Sequence, residues 1–347
     1  MFELKLKIQR WIFKSKINKN QERVSSQVHE TSPSSVVAAG ALKLLLLCFF
    51  GVVIIFPFAF MILMAFMSDN EIESIKNSFR LLPSFGPGST YYVNNGTNGD
   101  LHGIVFTNNW SEIVANTFKR AASSGYWNAL LLTVLNVLVS VVFKIFVTFL
   151  MGYAFSLRNW RGKGFVWFLA LALLVLPEVA LLSGQYFVVL KTQLTSTYIG
   201  FLLAVAFPFT ASIFNATMYK NAFEMIPGRI KEVSLIDGAG GAKYLFKIAF
   251  PMVMPTTLTI VILTSLASWN AYLWPSIIST INGTKNEVLS VWLFNAGLDV
   301  NDSEARRLEN VRMAASILVL VPMFCGFLFF RKRIMAAISR QGSAIKG

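Results

Sequence analysis

Acidic side chains are scarce in this chain: 17 Asp and Glu stand against 31 Lys and Arg, a net charge of +14. Histidine and cysteine are scarcer still, at two each. His29 and His102 lie outside the apolar runs and far from any Cys or Asp cluster, which argues against an intramembrane metal site. No Ser–His arrangement suggests hydrolysis. Cys48 and Cys325 fall inside apolar runs and read as small buried hydrophobes, not as a disulfide pair. A G-x-x-x-x-G-K-[ST] phosphate loop is missing, so the chain does not hold ATP by that route. Repeats at solenoid periods are missing too.

What the chain has in abundance is apolar surface. Hydrophobic residues make up 55% and charged residues 14%, far from a soluble profile. Six runs are long enough to cross a bilayer: 41–67, 127–156, 164–190, 198–219, 252–281 and 313–330. The reading is an all-α, multi-pass protein of the cell (plasma or inner) membrane. Residues 1–40 form a basic, Ser- and Asn-rich tail, 41–330 the membrane domain and 331–347 a second tail. The first apolar run is too long for a cleaved signal and reads as an uncleaved anchor.

Charge sets the orientation. The short loop 157–163 carries Arg158, Arg161 and Lys163, whereas 191–197 carries only Lys191. The positive-inside rule places the first loop in the cytoplasm, and with it both chain ends and the loop 221–251. The longest outer segment is then 68–126, whose middle (86–105) is turn-forming by its Gly, Pro and Asn content. The positive balance is a topology signal plus attraction to anionic lipid, and not a nucleic-acid footprint.

One polar stretch between apolar runs has helix-forming structure of its own. In Ile226–Pro255, Pro227 suits a first helical turn, and Ile226, Ile230 and Val233 fall on one face. Gly238 and Gly240–Gly241 allow the chain to turn. A second amphipathic helix follows, with Ala242, Leu245, Phe246 and Ala249 opposite Lys243 and Lys247, and Pro251 and Pro255 open the next run. Such an element at a membrane face suits docking; by periodicity alone it is equally an ordinary amphipathic loop.

The residues themselves go further. Glu232-Val233-Ser234, then Gly238, then Ile248-Ala249-Phe250-Pro251 keeps the spacing of the EAA loop and resembles that of ABC importer permeases. Two alanines of the family pattern are Val233 and Ser234 here, and its leucine is Phe250. The resemblance narrows to maltose-type carbohydrate importer permeases through Asn128-Ala129-Leu130, Gly152-Tyr153-Ala154-Phe155, Leu176-Pro177-Glu178-Val179, Trp269-Asn270-Ala271-Tyr272-Leu273-Trp274-Pro275 and the ending Ser343-Ala344-Ile345-Lys346-Gly347. It implies a type I ABC importer permease fold with six transmembrane helices and cytoplasmic termini. It also implies a non-catalytic subunit that forms half of a sugar pathway. Its EAA residues Glu232, Val233, Ser234, Asp237, Gly238 and Ala239 would couple to an ABC ATPase dimer. A second permease subunit, an extracytoplasmic solute-binding protein and the lipid would be its other partners, no nucleic acid among them. No cofactor would be bound by this chain, ATP and Mg residing on the partners.

Within the runs, Lys144 and Glu178 are deeply placed charges, roughly 18 and 21 Å from the inner face at 1.5 Å per residue, which suits an ion pair between the second and third runs. Lys144 snorkelling, with Glu178 lining the pathway alone, is the alternative. Trp269, Asn270, Tyr272 and Trp274 suit sugar contact by residue type, since aromatic faces pack on sugar C–H groups and an amide pairs with hydroxyls. Equally, they suit interfacial anchoring. Gln185 and Tyr186 share that ambiguity. An ATP-independent secondary transporter or channel would need paired broken helices in two repeated halves; a scaffold would need no docking loop.

Overall fold

The computed structural model describes residues 11, 33–75, 80–83, 90–92, 104–106, 109–123, 125–157, 160–281, 286–297 and 308–344. At 33–36, 73, 90–92, 104–106, 178, 209 and 333–344 the backbone alone is described. The chain divides into two compact units, Met1–Ala59 and Phe60–Gly347. The smaller unit holds most of helix α1 (Pro33–Ala65), a run of Leu, Phe, Val and Ile that is exposed and apolar all round. That pattern suits a hydrocarbon environment and not water.

In the larger unit, α2 (Asp69–Ile75) precedes a two-stranded antiparallel hairpin, β1 (Thr90–Tyr92) and β2 (Ile104–Phe106), with Tyr91 opposite Val105. This hairpin, from β-branched and aromatic residues within the expected turn-rich outer segment, is the departure from an all-helical chain. Then come α3 (Trp110–Ser123) and α4 (Tyr126–Ser156), the long helix against which most of this unit packs. Next are α5 (Lys163–Ala172), α6 (Glu178–Thr192), α7 (Tyr198–Ala206) and α8 (Ile213–Glu224). The order ends with α9 (Gly228–Ile236), α10 (Gly241–Asn270), α11 (Leu273–Ser279), α12 (Leu289–Asn295) and α13 (Glu309–Ala344).

Among the described residues four helices are long and apolar enough to span a bilayer: Val37–Ala65, Tyr126–Ser156, Gly241–Asn270 and Glu309–Lys332. The third, fourth and fifth expected runs are each split, the fifth (252–281) after Asn270. Pro177 lacks an amide donor and holds its neighbour out of the helical region, so α5 ends in turns at 173–176 and α6 restarts at Glu178. Between α7 and α8 a tight turn at Phe207–Phe209 intervenes with Phe207 and Thr210 still helical, and the chain leaves the helical path only at Ser212 (φ −94°, ψ 111°). Both restarts in this pair are capped: Thr197 Oγ1 accepts from the Gly200 amide at 3.0 Å and Ser212 Oγ from Asn215 at 3.3 Å.

Close approach of α4 and α8 depends on a glycine. A Cβ at Gly152 would lie 2.4 Å from Tyr219 Cβ and 2.9 Å from the Ala216 carbonyl oxygen. Small residues at helix crossings let backbones approach where apolar burial cannot drive association.

A polar staple ties the outer segment to the last helix. Ser68 and Glu71 form a capping box: the Ser68 amide donates to Glu71 Oε2 at 2.9 Å and the Glu71 amide to Ser68 Oγ at 3.3 Å. Beside it, Arg120 on α3 pairs with Asp69, and Asn310 on α13 donates both to Asp69 and to the Met67 carbonyl. Three segments far apart in sequence meet at one largely buried carboxylate.

Candidate coupling element and pathway residues

The polar stretch of the sequence folds as two helices joined by a glycine turn. Pro227 is extended (φ −57°, ψ 132°) and stands just before α9, one step earlier than a first-turn position. At the other end the Ala239 amide donates to the Ser234 carbonyl at 2.7 Å and the Gly238 amide to that of Leu235 at 3.2 Å, with Gly238 at φ +65°. This crossed pair of bonds satisfies the last carbonyls of the helix and turns the chain sharply. Nothing lies within 4 Å of a Cβ built on Gly238, so glycine serves here for its φ and not for room.

Burial sorts the residues of α9. Ser234 and Ala239 are buried, whereas Glu232, Val233, Asp237 and Gly238 are exposed. Val233 therefore does not share an inward face with Ile230; Ser234, four residues on, does. Ile226 precedes the extended Pro227, so its phase does not carry into the helix, and the inward spacing starts afresh at Ile230. The outward surface is apolar at its tip: Ile236 is 85% exposed, with Leu235 and Val233 each more than half exposed. Around this tip stand exposed Glu232, Asp237, Arg229, Lys231 and Lys243.

The base of the element is rigid. Ile226 packs on an aromatic cluster in which the Phe149 ring lies 5.5 Å from Tyr219, 5.3 Å from Phe223 and 5.5 Å from Phe250. The Tyr219 hydroxyl donates to Thr257 Oγ1 at 3.0 Å, linking α8 to α10. Lys220, just below, reaches Glu224 at 2.8 Å and lies 5.6 Å from the Trp167 ring centre of α5.

The expected second amphipathic helix is not a separate element. It is the first part of α10, continuous from Gly241 to Asn270. A widened turn at Leu245–Ala249 makes this possible, with the Phe250 amide bonded to the Leu245 carbonyl five residues back. In a regular helix the Pro251 ring would press on the Lys247 carbonyl; widening the preceding turn relieves that clash. The glycine turn is thus joined directly to a 30-residue helix.

At its far end α10 stops at Asn270, because Pro275 could neither donate to Ala271 nor tolerate its carbonyl. Ala271 and Tyr272 leave the helical path and α11 begins at Leu273. The break is tied down locally: Asn270 Nδ2 donates to the Leu266 carbonyl of its own helix at 2.9 Å, and Ser290 Oγ donates to the freed carbonyl of Ala271. Asn270 and Tyr272 are exposed, while Trp269 is half-buried with its indole N–H lacking a partner. Trp274 is buried, its indole donating to the Ala204 carbonyl at 2.9 Å, so packing accounts for that residue. Gln185 and Tyr186 are half-buried on α6, with Gln185 Oε1 lacking a partner. Lys144 is half-buried on α4, its carbonyl accepting from Thr148 Oγ1 at 2.6 Å. Glu178 opens α6; its side chain lies outside the described residues, and with it the expected Lys144–Glu178 pair.

Sequence reasoning missed Phe294, which rests 4.4 Å ring to ring against Tyr272, and Arg120 with Asn310. The Ser68-x-x-Glu71 capping signature could have located the start of α2 beside them.

Comparison with known proteins agrees with this architecture. A family described as binding-protein-dependent transport system inner membrane component matches residues 131–340. A protein of Mycoplasma pneumoniae described as a probable ABC transporter permease protein is 37% identical over 337 residues, covering 95% of this chain and 96% of that one. Its Mycoplasma genitalium counterpart is 36% identical over the full length of both. The arabinooligosaccharides transport system permease protein of Halalkalibacterium halodurans is 26% identical, over 64% of this chain and 75% of its own. Among solved structures, a chain of a bacterial ABC transporter involved in the import of the acidic polysaccharide alginate superposes with a TM-score of 0.63 at 20% identity, over 88% of this chain and 99% of that one. The chain belongs to the family of binding-protein-dependent transport system inner membrane components, the membrane permeases of ABC transporters.

Proposed function

We propose that this chain is one of two permease subunits of an ATP-driven importer for sugars or related polyols. In this account both chain ends and the α8–α10 loop are cytoplasmic, and the chain crosses the membrane six times. The third and fourth crossings are then the broken pairs α5–α6 and α7–α8. Irregular backbone at membrane depth is tolerated where it is buried in protein or lines a cavity. The carbohydrate class rests on relatives named for arabinooligosaccharides, sn-glycerol-3-phosphate and lactose transport.

The observation that carries the coupling role is the α9 tip. A helix that leaves Ile236, Leu235 and Val233 in solvent, on a rigid aromatic base, lacks the partner that would cover them. An ATPase subunit gripping that tip would push on the Gly238 turn, and α10 would tilt as one body. Closure of two ATPases on ATP would open the pathway outward to receive solute from an external binding protein, and hydrolysis would reset it. Such conversion needs an element with two discrete arrangements. ATP and Mg reside on the partner subunits, and this chain contributes no catalytic group.

The test is co-purification of the ATPase subunit with the chain. Ile236→Asp and Glu232→Ala are expected to abolish it while leaving the chain folded in the membrane. Undiminished recovery of the ATPase with both variants would overturn the docking role.

A further inference from the structure

The Tyr272–Phe294 ring pair has no structural explanation in the packing around it. Tyr272 is 41% and Phe294 45% exposed, although their ring centres are only 4.4 Å apart. Both rings stand on fixed supports. Tyr272 occupies the break between α10 and α11, where its carbonyl accepts from the Ser276 amide at 2.9 Å. Helix α12, which carries Phe294, is anchored to α4 by the Leu289 amide donating to Thr133 Oγ1 at 2.8 Å and by the buried Trp292 against Tyr126. It is anchored to the break itself by Ser290 on Ala271.

Polar groups stand next to the rings in space or in the chain. The Arg312 guanidinium lies 5.5 Å from the Phe294 ring centre. Asn295, next in the chain to Phe294, donates to Glu287 Oε2 at 2.8 Å. Asn270 is exposed beside Tyr272, with one amide hydrogen used on its own helix. The Arg312 guanidinium gives the Phe294 face a polar neighbour, and the exposed amides Asn270 and Asn295 flank Tyr272 and Phe294 in the chain. Rigid aromatic faces beside paired hydrogen-bonding side chains match a molecule with apolar C–H faces and hydroxyls on its rim.

We propose that the Tyr272–Phe294 pair is the floor of a solute subsite for a sugar ring bearing neighbouring hydroxyls, with Glu287, Asn295 and Arg312 as its hydrogen-bonding rim. The proposal rests on the carbohydrate-importer reading above. It adds an aromatic on a different helix to the residues that the sequence alone suggested.

Saturation-transfer NMR on the assembled transporter in nanodiscs, without its external binding protein, tests it directly. The probes are lactose, arabinotriose and sn-glycerol 3-phosphate, and the protein's aromatic protons are saturated. Transfer to the C–H protons of at least one sugar is expected. Phe294→Ala and Tyr272→Ala should each weaken it about fivefold, consistent with one aromatic contact, while Tyr272→Phe and Phe294→Tyr should retain it. Transfer that is absent for both sugars, or unchanged in both alanine variants, would overturn the subsite. Uptake of the same probes by the complete transporter in proteoliposomes, measured in parallel, separates the two levels: uptake with no aromatic transfer sinks the subsite alone, whereas no uptake of any probe sinks the carbohydrate reading with it.

Discussion

Arg120 grips Asp69 through two parallel hydrogen bonds, Nη1 to Oδ2 at 2.8 Å and Nη2 to Oδ1 at 2.7 Å. Their side chains are 16% and 6% exposed, and Asn310 of α13 donates to the same carboxylate. Removing one member strands a charge in a poorly hydrated place, at a cost of about 3–5 kcal/mol. Arg120→Ala is therefore expected to lower the thermal unfolding midpoint of the detergent-solubilised transporter markedly. Arg120→Lys should recover only part, since an ammonium cannot make the fork. Pairing Arg120→Met with Asp69→Leu should recover more than either single change. A wild-type midpoint for Arg120→Ala would show that the staple does not hold the outer segment.

At the crossing of α4 and α8 the limit is space. Gly152→Ala would put a methyl group 2.4 Å from Tyr219 Cβ, which neither backbone can yield to without the helices separating. Overpacking of this kind costs about 1–3 kcal/mol. The variant should unfold at lower temperature. Gly152→Ala combined with Tyr219→Ala should not recover, because alanine keeps the Cβ that stands 2.4 Å away and the Ala216 carbonyl remains at 2.9 Å.

Gly238 presents the opposite case, open space with an unfavourable φ of +65°. Gly238→Ala should cost about 1–2 kcal/mol locally, fraying the end of α9 without disturbing the aromatic base. Measured by titration of the purified ATPase subunit, its affinity should fall, while the midpoint of global unfolding stays near wild type. A large drop in global stability would mean that the turn is part of the core and not a lever.

How much of this was legible in the residues depends on the range of each signal. The glycine turn, the short helix before it and the apolar stretches of the four long helices follow from local spacing: Gly238 after Ile236, and long apolar runs. Pro177 and Pro275 were equally visible, yet their weight was not, since apolar runs on either side disguised the breaks beside them, and the one at Ser212, as continuous helices. Pro251 misled in the other direction: it seemed to start a new helix, but a widened turn absorbs it. Phe294 and Arg120 were out of reach because their partners, Tyr272 and Asp69, lie 22 and 51 residues away, and no periodicity reports such contacts. The inward face of α9 was misjudged because Ile226 sits on the wrong side of an extended proline.

Glu287 supplies a pH signature. Burial raises its carboxyl above the usual 4.5, although the hydrogen bond from Asn295 pulls the other way. The folded state thus holds this proton more tightly than the unfolded chain does. Its contribution to stability is fully present below the ordinary value, declines as pH rises through the raised one, and is a constant penalty above that. Glu287→Gln should remove this decline, so the variant gains on wild type in thermal stability between pH 4.5 and neutrality. A gap between the two proteins that does not change with pH would contradict it.

The central claim is that the α9 tip faces the cytoplasm and is gripped there by a motor. A single cysteine at Ile236, in a chain with Cys48→Ser and Cys325→Ser, reports on both parts through a membrane-impermeant maleimide. The account predicts fast labelling in inside-out vesicles stripped of the ATPase, protection when the ATPase subunit is added back, and no labelling in intact cells. Labelling of intact cells, or a rate in stripped vesicles that added ATPase leaves unchanged, would contradict it.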